Sequence, residues 1–540
     1  MSRSFVNNLK TLTAILAGIN LEFINLIWRL EMKYIFHLED LKMNFVNAMQ
    51  NELNSEKKLT INGAVGYATS GKKLLDINFA VTSLRKADEQ EIIDKFIGAF
   101  YEDQMTAIKW LFFTRDAREG TGERKLFRVV MKWLAENKPE IVKAVMEYTP
   151  FFGRWDDLWC LLDTELKQNV INMIGRQLSK DDTNMKNKQS ISLMYKWLPS
   201  ENASSTETKR LANIIRTGLG MTSRNYRKML SNRRAYLDVV ECKMSARQWN
   251  EIDYEAVPSR ANLIYNDAFL RNDTERRREY LSKLEKGEAK INASVLFPDD
   301  IVHKYGDNSI WSTRVKSYDA TLEGLWNALP TLSTENTLVV RDGSGSMTGK
   351  PMDVSTALAI YMAERTTGDF YNKFITFSSR PRLIDLDGCA TLRDKLIKCY
   401  AETDCSNTDI YKVFKLILDT AVNNNMKQED MPKNIVIVSD MQFDGRAHNL
   451  NDTLFDSIAK EYAQHGYLLP RLVFWNVNEY SRNNVVPVQQ NELGVVLMSG
   501  YSTNLIKMVM SNQVDPYQCL LEQINSERYQ VIEDAIKELI

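Results

Sequence analysis

Apolar residues follow a helical period through the first half of the chain and switch to short continuous runs in the second. Ile92, Ile93, Phe96, Ile97 and Phe100 form one stripe of a 3.6-residue period, which predicts a helix beginning near Glu89. Residues 105–113, 127–134 and 141–148 repeat the pattern, and 191–198, 211–219 and 225–236 continue it. The links are short and polar, and none of these segments alternates as a strand would. Antiparallel helix pairs are therefore expected, stacked as a repeat or bundle, although no strict sequence period accompanies them. Before them, residues 61–88 are polar and hold Gly63, Gly66 and Gly71, the composition of an extended lead-in. Thr149-Pro150 ends one helix and Gly153-Arg154-Trp155-Asp156-Asp157 opens the next, its aspartates suited to the positive end of the helix dipole. Val257-Pro258 marks a non-helical crossing, and residues 289–301 lead into a linker that runs to about Leu332, punctuated by Asp307-Asn308-Ser309.

In the second half, residues 337–340, 374–378, 435–440, 471–477 and 494–499 are apolar runs of strand length, with 382–386 as an edge candidate. Helices are predicted between them at 352–366, at 393–400, after Thr408 and at 454–465. This alternation predicts a doubly wound, mostly parallel sheet. The domain reading is an N-terminal extension at 1–42, an α-helical repeat domain at 43–332 and an α/β domain at 333–540. Residues 12–30 are rich in Leu and Ile, but Asn20, Glu22, Asn25 and Arg29 interrupt them and no small-residue cleavage site follows. An amphipathic helix is expected there rather than a signal or membrane segment, and Met43 is a plausible alternative start.

Composition narrows the class. At 540 residues the chain exceeds one core, and 44% hydrophobic with 26% charged residues is an ordinary globular balance. A net charge of −1 leaves nucleic-acid binding to local patches. The six cysteines are scattered without a CxxC pair and there are four histidines, which argues against a zinc site and for a reducing, cytoplasmic setting.

The candidate chemistry lies where the first long strand of the second half stops. Val339-Val340-Arg341-Asp342-Gly343-Ser344-Gly345-Ser346 brings a carboxylate and two hydroxyls to the carboxyl end of a strand, where open α/β sheets bind ligands. Asn407-Thr408-Asp409 is a polar turn opening a helix, and Ile435-Val436-Ile437-Val438-Ser439-Asp440 is a second strand ending in a carboxylate. Small, hard oxygen donors in this number suit one Mg²⁺ or Mn²⁺ ion. The Asp-x-Ser-x-Ser, Thr and strand-end Asp set resembles the metal-ion-dependent adhesion site of von Willebrand factor A domains. That resemblance implies a metal at Asp342, Ser344, Ser346, Thr408 and Asp440, with both serines as direct ligands and the others direct or through water. It also implies a surface crevice with one coordination position left for a partner's acidic side chain or a phosphate oxygen.

In the first half, Asp116-Ala117-Arg118-Glu119-Gly120-Thr121-Gly122-Glu123-Arg124, Phe152-Gly153-Arg154-Trp155-Asp156-Asp157-Leu158 and Val257-Pro258-Ser259-Arg260-Ala261 are the landmarks. Followed by the second half, they resemble uncharacterised proteins related to the TROVE module of the Ro ribonucleoprotein autoantigen, from about Phe45 onward. The resemblance implies a HEAT-like, TROVE-like helical-repeat domain followed by a von Willebrand A-like one, and a non-enzymatic scaffold for structured or misfolded RNA. A basic block agrees with it: Lys209, Arg210, Arg224, Arg227, Lys228, Arg233 and Arg234 are candidate phosphate contacts, with Tyr226, Tyr236 and Trp249 available for stacking. A solvated helix face is the other reading of that block. Arg276-Arg277-Arg278, mixed with acids, reads as a salt-bridged helix surface.

No catalytic residues are assigned. A nucleophilic serine needs a base, and His448 stands without a partner pattern; Walker-type and GxGxxG motifs are absent from the sequence. Asp409 and Asp444 leave metal-dependent hydrolysis as a third reading behind an RNA scaffold and a metal-dependent protein scaffold.

Overall fold

The computed structural model describes residues 57–306, 315–378, 380–402, 408–445, 454–480, 485–513 and 515–540. Residues 12–30, Met43, Asp307-Asn308-Ser309, Asn407 and His448 lie outside the described residues.

Helices follow the predicted stripes. Glu89–Glu102 buries Ile92, Phe96, Ala99 and Phe100 on one face and is capped by the Asp88 carboxylate, which accepts from the Glu91 amide. Gln104–Arg115, Lys125–Asn137, Thr206–Gly218 and Ser223–Tyr236 fill the next predicted stretches. Three expectations change. The stretch 61–88 is not an extended lead-in: β1 (Lys57–Leu59) and β2 (Val65–Tyr67) form an antiparallel hairpin, and Lys73–Phe79 is a helix. The Gly153 stretch opens a 3-10 segment, Trp155–Leu161, and its aspartates pair with Arg115 and Arg128 instead of facing a long helix. The supposed linker holds two helices, Pro298–Tyr305 and Ala320–Asn327, which bury Ile301, Val302, Tyr305, Leu325 and Trp326.

The second half is a six-stranded sheet in the order β10-β9-β8-β4-β6-β7. Its strands are β4 (Thr337–Asp342), β6 (Lys373–Phe377), β7 (Arg382–Asp385), β8 (Asn434–Ser439), β9 (Arg471–Asn476) and β10 (Val495–Ser499), with β3 (Thr334–Glu335) and β5 (Thr366–Thr367) forming a small separate pair. All pairings in the large sheet are parallel except β6 with the edge strand β7. β4 and β8 are buried at every position, as strands covered on both faces must be. From β4 the chain adds β6 on one side and returns to place β8 on the other, so the direction of winding reverses between β4 and β8. The carboxyl ends of those two strands at a winding reversal are where open α/β sheets bind ligands.

Helical and sheet parts share one core. The Thr82 amide donates to Ser499 Oγ (3.1 Å) at the end of β10, and Asn476 Nδ2 at the end of β9 donates to the Phe79 carbonyl (2.8 Å). In return the last helices pack into the helical part. Tyr529 stacks on Phe152 with centroids 5.5 Å apart, and its hydroxyl donates to the buried Asp116 carboxylate (3.1 Å). The buried Lys109 ammonium binds Asn525 (2.8 Å) and Glu533 (2.7 Å).

Candidate metal centre

β4 and β8 are hydrogen-bonded neighbours, so Asp342 and Asp440 leave the sheet side by side. The Asp342 carboxylate is fully buried and accepts from the Ser344 amide (2.9 Å) and the Ser439 hydroxyl (2.6 Å). A short 3-10 turn, Gly345–Met347, brings Ser346 back so that Ser344 Oγ and Ser346 Oγ stand 3.1 Å apart. Ser346 also stands near enough to the Asp440 carboxylate to favour its charged form. Asp440 Oδ1 accepts from the Gln442 amide (3.1 Å), across a turn in which Met441 adopts φ 64°, a costly conformation for a residue with a β-carbon. The Ser439 hydroxyl holds that turn by accepting from the Met441 amide (3.0 Å).

Four predicted ligands are thus in one cluster. Thr408 stands one step away. Its hydroxyl donates to Asp444 (2.6 Å) and accepts from Asn62 Nδ2 (2.9 Å), while the same Asn62 amide group donates to the Gln442 carbonyl (2.8 Å). One lone pair of the Thr408 oxygen is left for a ligand. Asn62 sits on the β1–β2 turn, whose Thr60 hydroxyl donates to the Phe443 carbonyl (2.7 Å) and whose Ile61 amide donates to the Gln442 side chain (2.9 Å). A β-carbon on Gly445 would meet the Gly63 carbonyl at 2.2 Å, so glycine permits this close approach of the hairpin to the β8 loop. The hairpin contribution carries no sequence signal, because an asparagine in a turn is ordinary and its partner Thr408 lies 346 positions away.

The site is more buried than the surface crevice expected. Asp342, Ser344, Thr408 and Asp440 are all buried, and Gly345 and Ser346 form the exposed lip. Burial, and then the neighbouring Asp440, pushes the Asp342 carboxyl up to about 7; burial raises Asp440 as well. Two buried carboxylates with three hydroxyls at hand are a hard-oxygen donor set to which a divalent cation would bring the missing positive charge. Asp409 is a helix cap, accepting from the Lys412 amide (3.3 Å), and Asp444 accepts from the Thr408 hydroxyl (2.6 Å).

The basic block behaves differently. Arg210 is bound to Asp163 (2.7 Å) and Glu207 (2.6 Å), and Arg233 to Asp182. Arg234 donates to the carbonyls of Tyr195 (2.9 Å) and Leu198 (2.7 Å) and to Ser200 (2.8 Å), an internal brace rather than a free contact. Arg227 has one long ion pair to Glu201 (3.8 Å). Lys209, Arg224 and Lys228 are exposed and have no partner among the described residues. Tyr226 is a core residue whose hydroxyl donates to the Pro199 carbonyl, so it offers no stacking face, whereas Tyr236 is exposed. Arg277 is not on a salt-bridged surface: it is fully buried among the rings of Tyr254, Phe269 and Tyr280 and donates to Asn262 and Asn266. Among the described residues no helix is long and apolar enough to cross a membrane, and no cluster of three or more His, Cys, Asp or Glu residues is present.

Two families match the chain. One, described as a domain of unknown function (DUF2828), covers residues 60–162 and 216–332; the other, also a domain of unknown function (DUF7788), covers 336–537. The uncharacterized protein L728 of Acanthamoeba polyphaga mimivirus is 31% identical over 504 residues, spanning 86% of each chain. Among solved structures, the Ro (RSR) protein of Deinococcus radiodurans is matched over 81% of this chain and 92% of that one, at 12% identity and a TM-score of 0.40. A likeness of that size bears no weight on function.

Proposed function

The chain belongs to one family with the mimivirus protein L728, and we propose that it is a non-enzymatic binding scaffold that grips an acidic partner through a divalent cation. The observation that carries this reading is the meeting of Asp342, Ser344, Ser346 and Asp440 at the winding reversal between β4 and β8, with Ser346 open to solvent. Mg²⁺ or Mn²⁺ would be held by Ser344, Ser346 and Thr408, with Asp342 and Asp440 beside them directly or through water, as in the metal-ion-dependent adhesion site that the sequence resembles. Bound there, the ion supplies a Lewis-acidic point for a carboxylate oxygen of the partner. Around it, Ser439 and the Ser344 amide fix the Asp342 carboxylate, Gln442 fixes Asp440, and Asn62 orients the Thr408 hydroxyl.

Calorimetric titration of the full chain with Mn²⁺ tests the reading. Ser346→Ala and Asp440→Asn are expected to abolish the binding isotherm; equal affinity in wild type and both variants would overturn it.

A second reading gives the helical part an RNA role, Ro-like in kind. It rests on Lys209, Arg224 and Lys228, the exposed and unpartnered cations of helices Thr206–Gly218 and Ser223–Tyr236. The alternative is a protein-only scaffold. Salt-dependent binding of a structured RNA that is lost in the triple glutamate variant of those residues supports the RNA role, and binding unchanged in that variant supports the alternative.

A further inference from the structure

The two glycine-and-arginine landmarks of the helical part are not used by the metal centre or by the Lys209 face, yet they meet. Asp157 is almost fully buried and is the hub of the meeting. It accepts from Arg115 Nε (2.7 Å), Arg128 Nε (2.8 Å) and the Arg154 backbone amide (2.8 Å). Arg128 also binds Asp156 (2.7 Å). Gly153 has to be glycine here, because a β-carbon would lie 2.5 Å from the Asp157 carboxylate and 2.7 Å from Arg115 Nε. These contacts are a rigid floor of two arginines on two aspartates.

Two more arginines are tied to that floor through their backbones: the Arg124 carbonyl accepts from the Arg128 amide (3.1 Å), and the Arg154 amide donates to Asp157 (2.8 Å). Arg124, at the start of the helix Lys125–Asn137, is exposed, and Arg154 is half-buried with its guanidinium 4.3 Å from the centre of the Trp197 ring. Neither guanidinium has a hydrogen-bond acceptor or ion-pair partner among the described residues. Arg115 and Arg128 take up both carboxylates, which leaves the two positive charges of Arg124 and Arg154 unpaired. Burial, followed by the charge of Arg124, pulls Arg154 down to about 10; burial, followed by Arg128, lowers Arg124. A guanidinium laid over an indole ring is held in one orientation, and its N–H fork suits an oxyanion.

We infer that Arg124 and Arg154 form a receptor for a phosphate dianion, on the floor built by Arg115, Arg128, Asp156 and Asp157. The site uses no residue of the cation centre or of the Lys209 face. Two bound negative charges offset the unpaired positive ones, and each arginine gains a charge-assisted contact.

The probe is inorganic phosphate, added to the full chain in the presence of a chelator and at ionic strength matched with chloride, so the cation centre cannot contribute. Phosphate is expected to raise the melting temperature of the wild type. In Arg124→Gln and Arg154→Gln its affinity is expected to fall at least about 10-fold, with melting in chloride alone unchanged or higher because a repulsion has been removed. No phosphate-dependent shift in the wild type, or the same shift in both variants, overturns the site. Competition separates the sources of the phosphate. An oligoribonucleotide that displaces phosphate only when it carries a 5′-phosphate assigns an RNA end, and no displacement by either form assigns a small free phosphate; both keep the receptor.

Discussion

At the carboxyl edge of the sheet, two buried carboxylates stand together with no basic side chain bonded to either among the described residues. On the helix pair Thr206–Gly218 and Ser223–Tyr236 the density of charge is greater, but Arg210, Arg216 and Arg233 each have a carboxylate and Arg234 is spent on carbonyls. A run of like charges measures little until its partners are counted. The two proposed sites rest instead on charge that the fold gathers and leaves unpaired, at Asp342 with Asp440 and at Arg124 with Arg154.

The comparison can be broken at several points. Removing a member of the carboxylate pair has the largest expected effect: Asp440→Asn should weaken Mn²⁺ binding on the order of 100-fold or more, enough to abolish the calorimetric isotherm. An unchanged isotherm would mean that the unbalanced pair is not a cation site. Within the basic block, Arg234→Ala should lower stability by about 1–3 kcal/mol in denaturant unfolding, since it strands two partly buried carbonyls. Stability unchanged by that substitution would erase the distinction between brace and free cation. Asn62→Ala should cost about 10-fold in Mn²⁺ affinity, as loss of a group that orients a ligand does, and about 1 kcal/mol of stability without metal, because the Gln442 carbonyl loses its donor. Lys228→Ala, at a free cation, should move stability by less than about 0.5 kcal/mol, and a larger loss would reveal a partner for it.

Much of the sheet was legible because β4 and β8 carry the apolar runs 338–340 and 435–438, each followed within two residues by an aspartate. Asp342, Ser344, Ser346 and Asp440 were grouped through the resemblance to a metal-ion-dependent adhesion site, and the pairing of β4 with β8 is what puts their strand ends next to one another. Asn62 was not legible, because the hairpin reaches the site through tertiary packing and a turn asparagine has no local mark of that role. The helix Lys167–Lys186 was missed for another reason. Its buried stripe is interrupted by polar residues and ends in Asp181, which caps Ser192 instead of filling a core. The helices Pro298–Tyr305 and Ala320–Asn327 looked like linker because each is short, and their burial depends on Lys350–Ala363 and Ser259–Asn272 coming to meet them.

The stacking of Tyr529 on Phe152, with its hydroxyl on Asp116, has a consequence for biosynthesis. Tyr529 is made 413 positions after Asp116, which at 5–20 residues per second is roughly 20–80 s of translation. Throughout that interval the nascent helical part carries an uncovered aromatic wall at Phe113 and Phe152, and the ribosome-bound chain should recruit holdase chaperones until Tyr529 emerges.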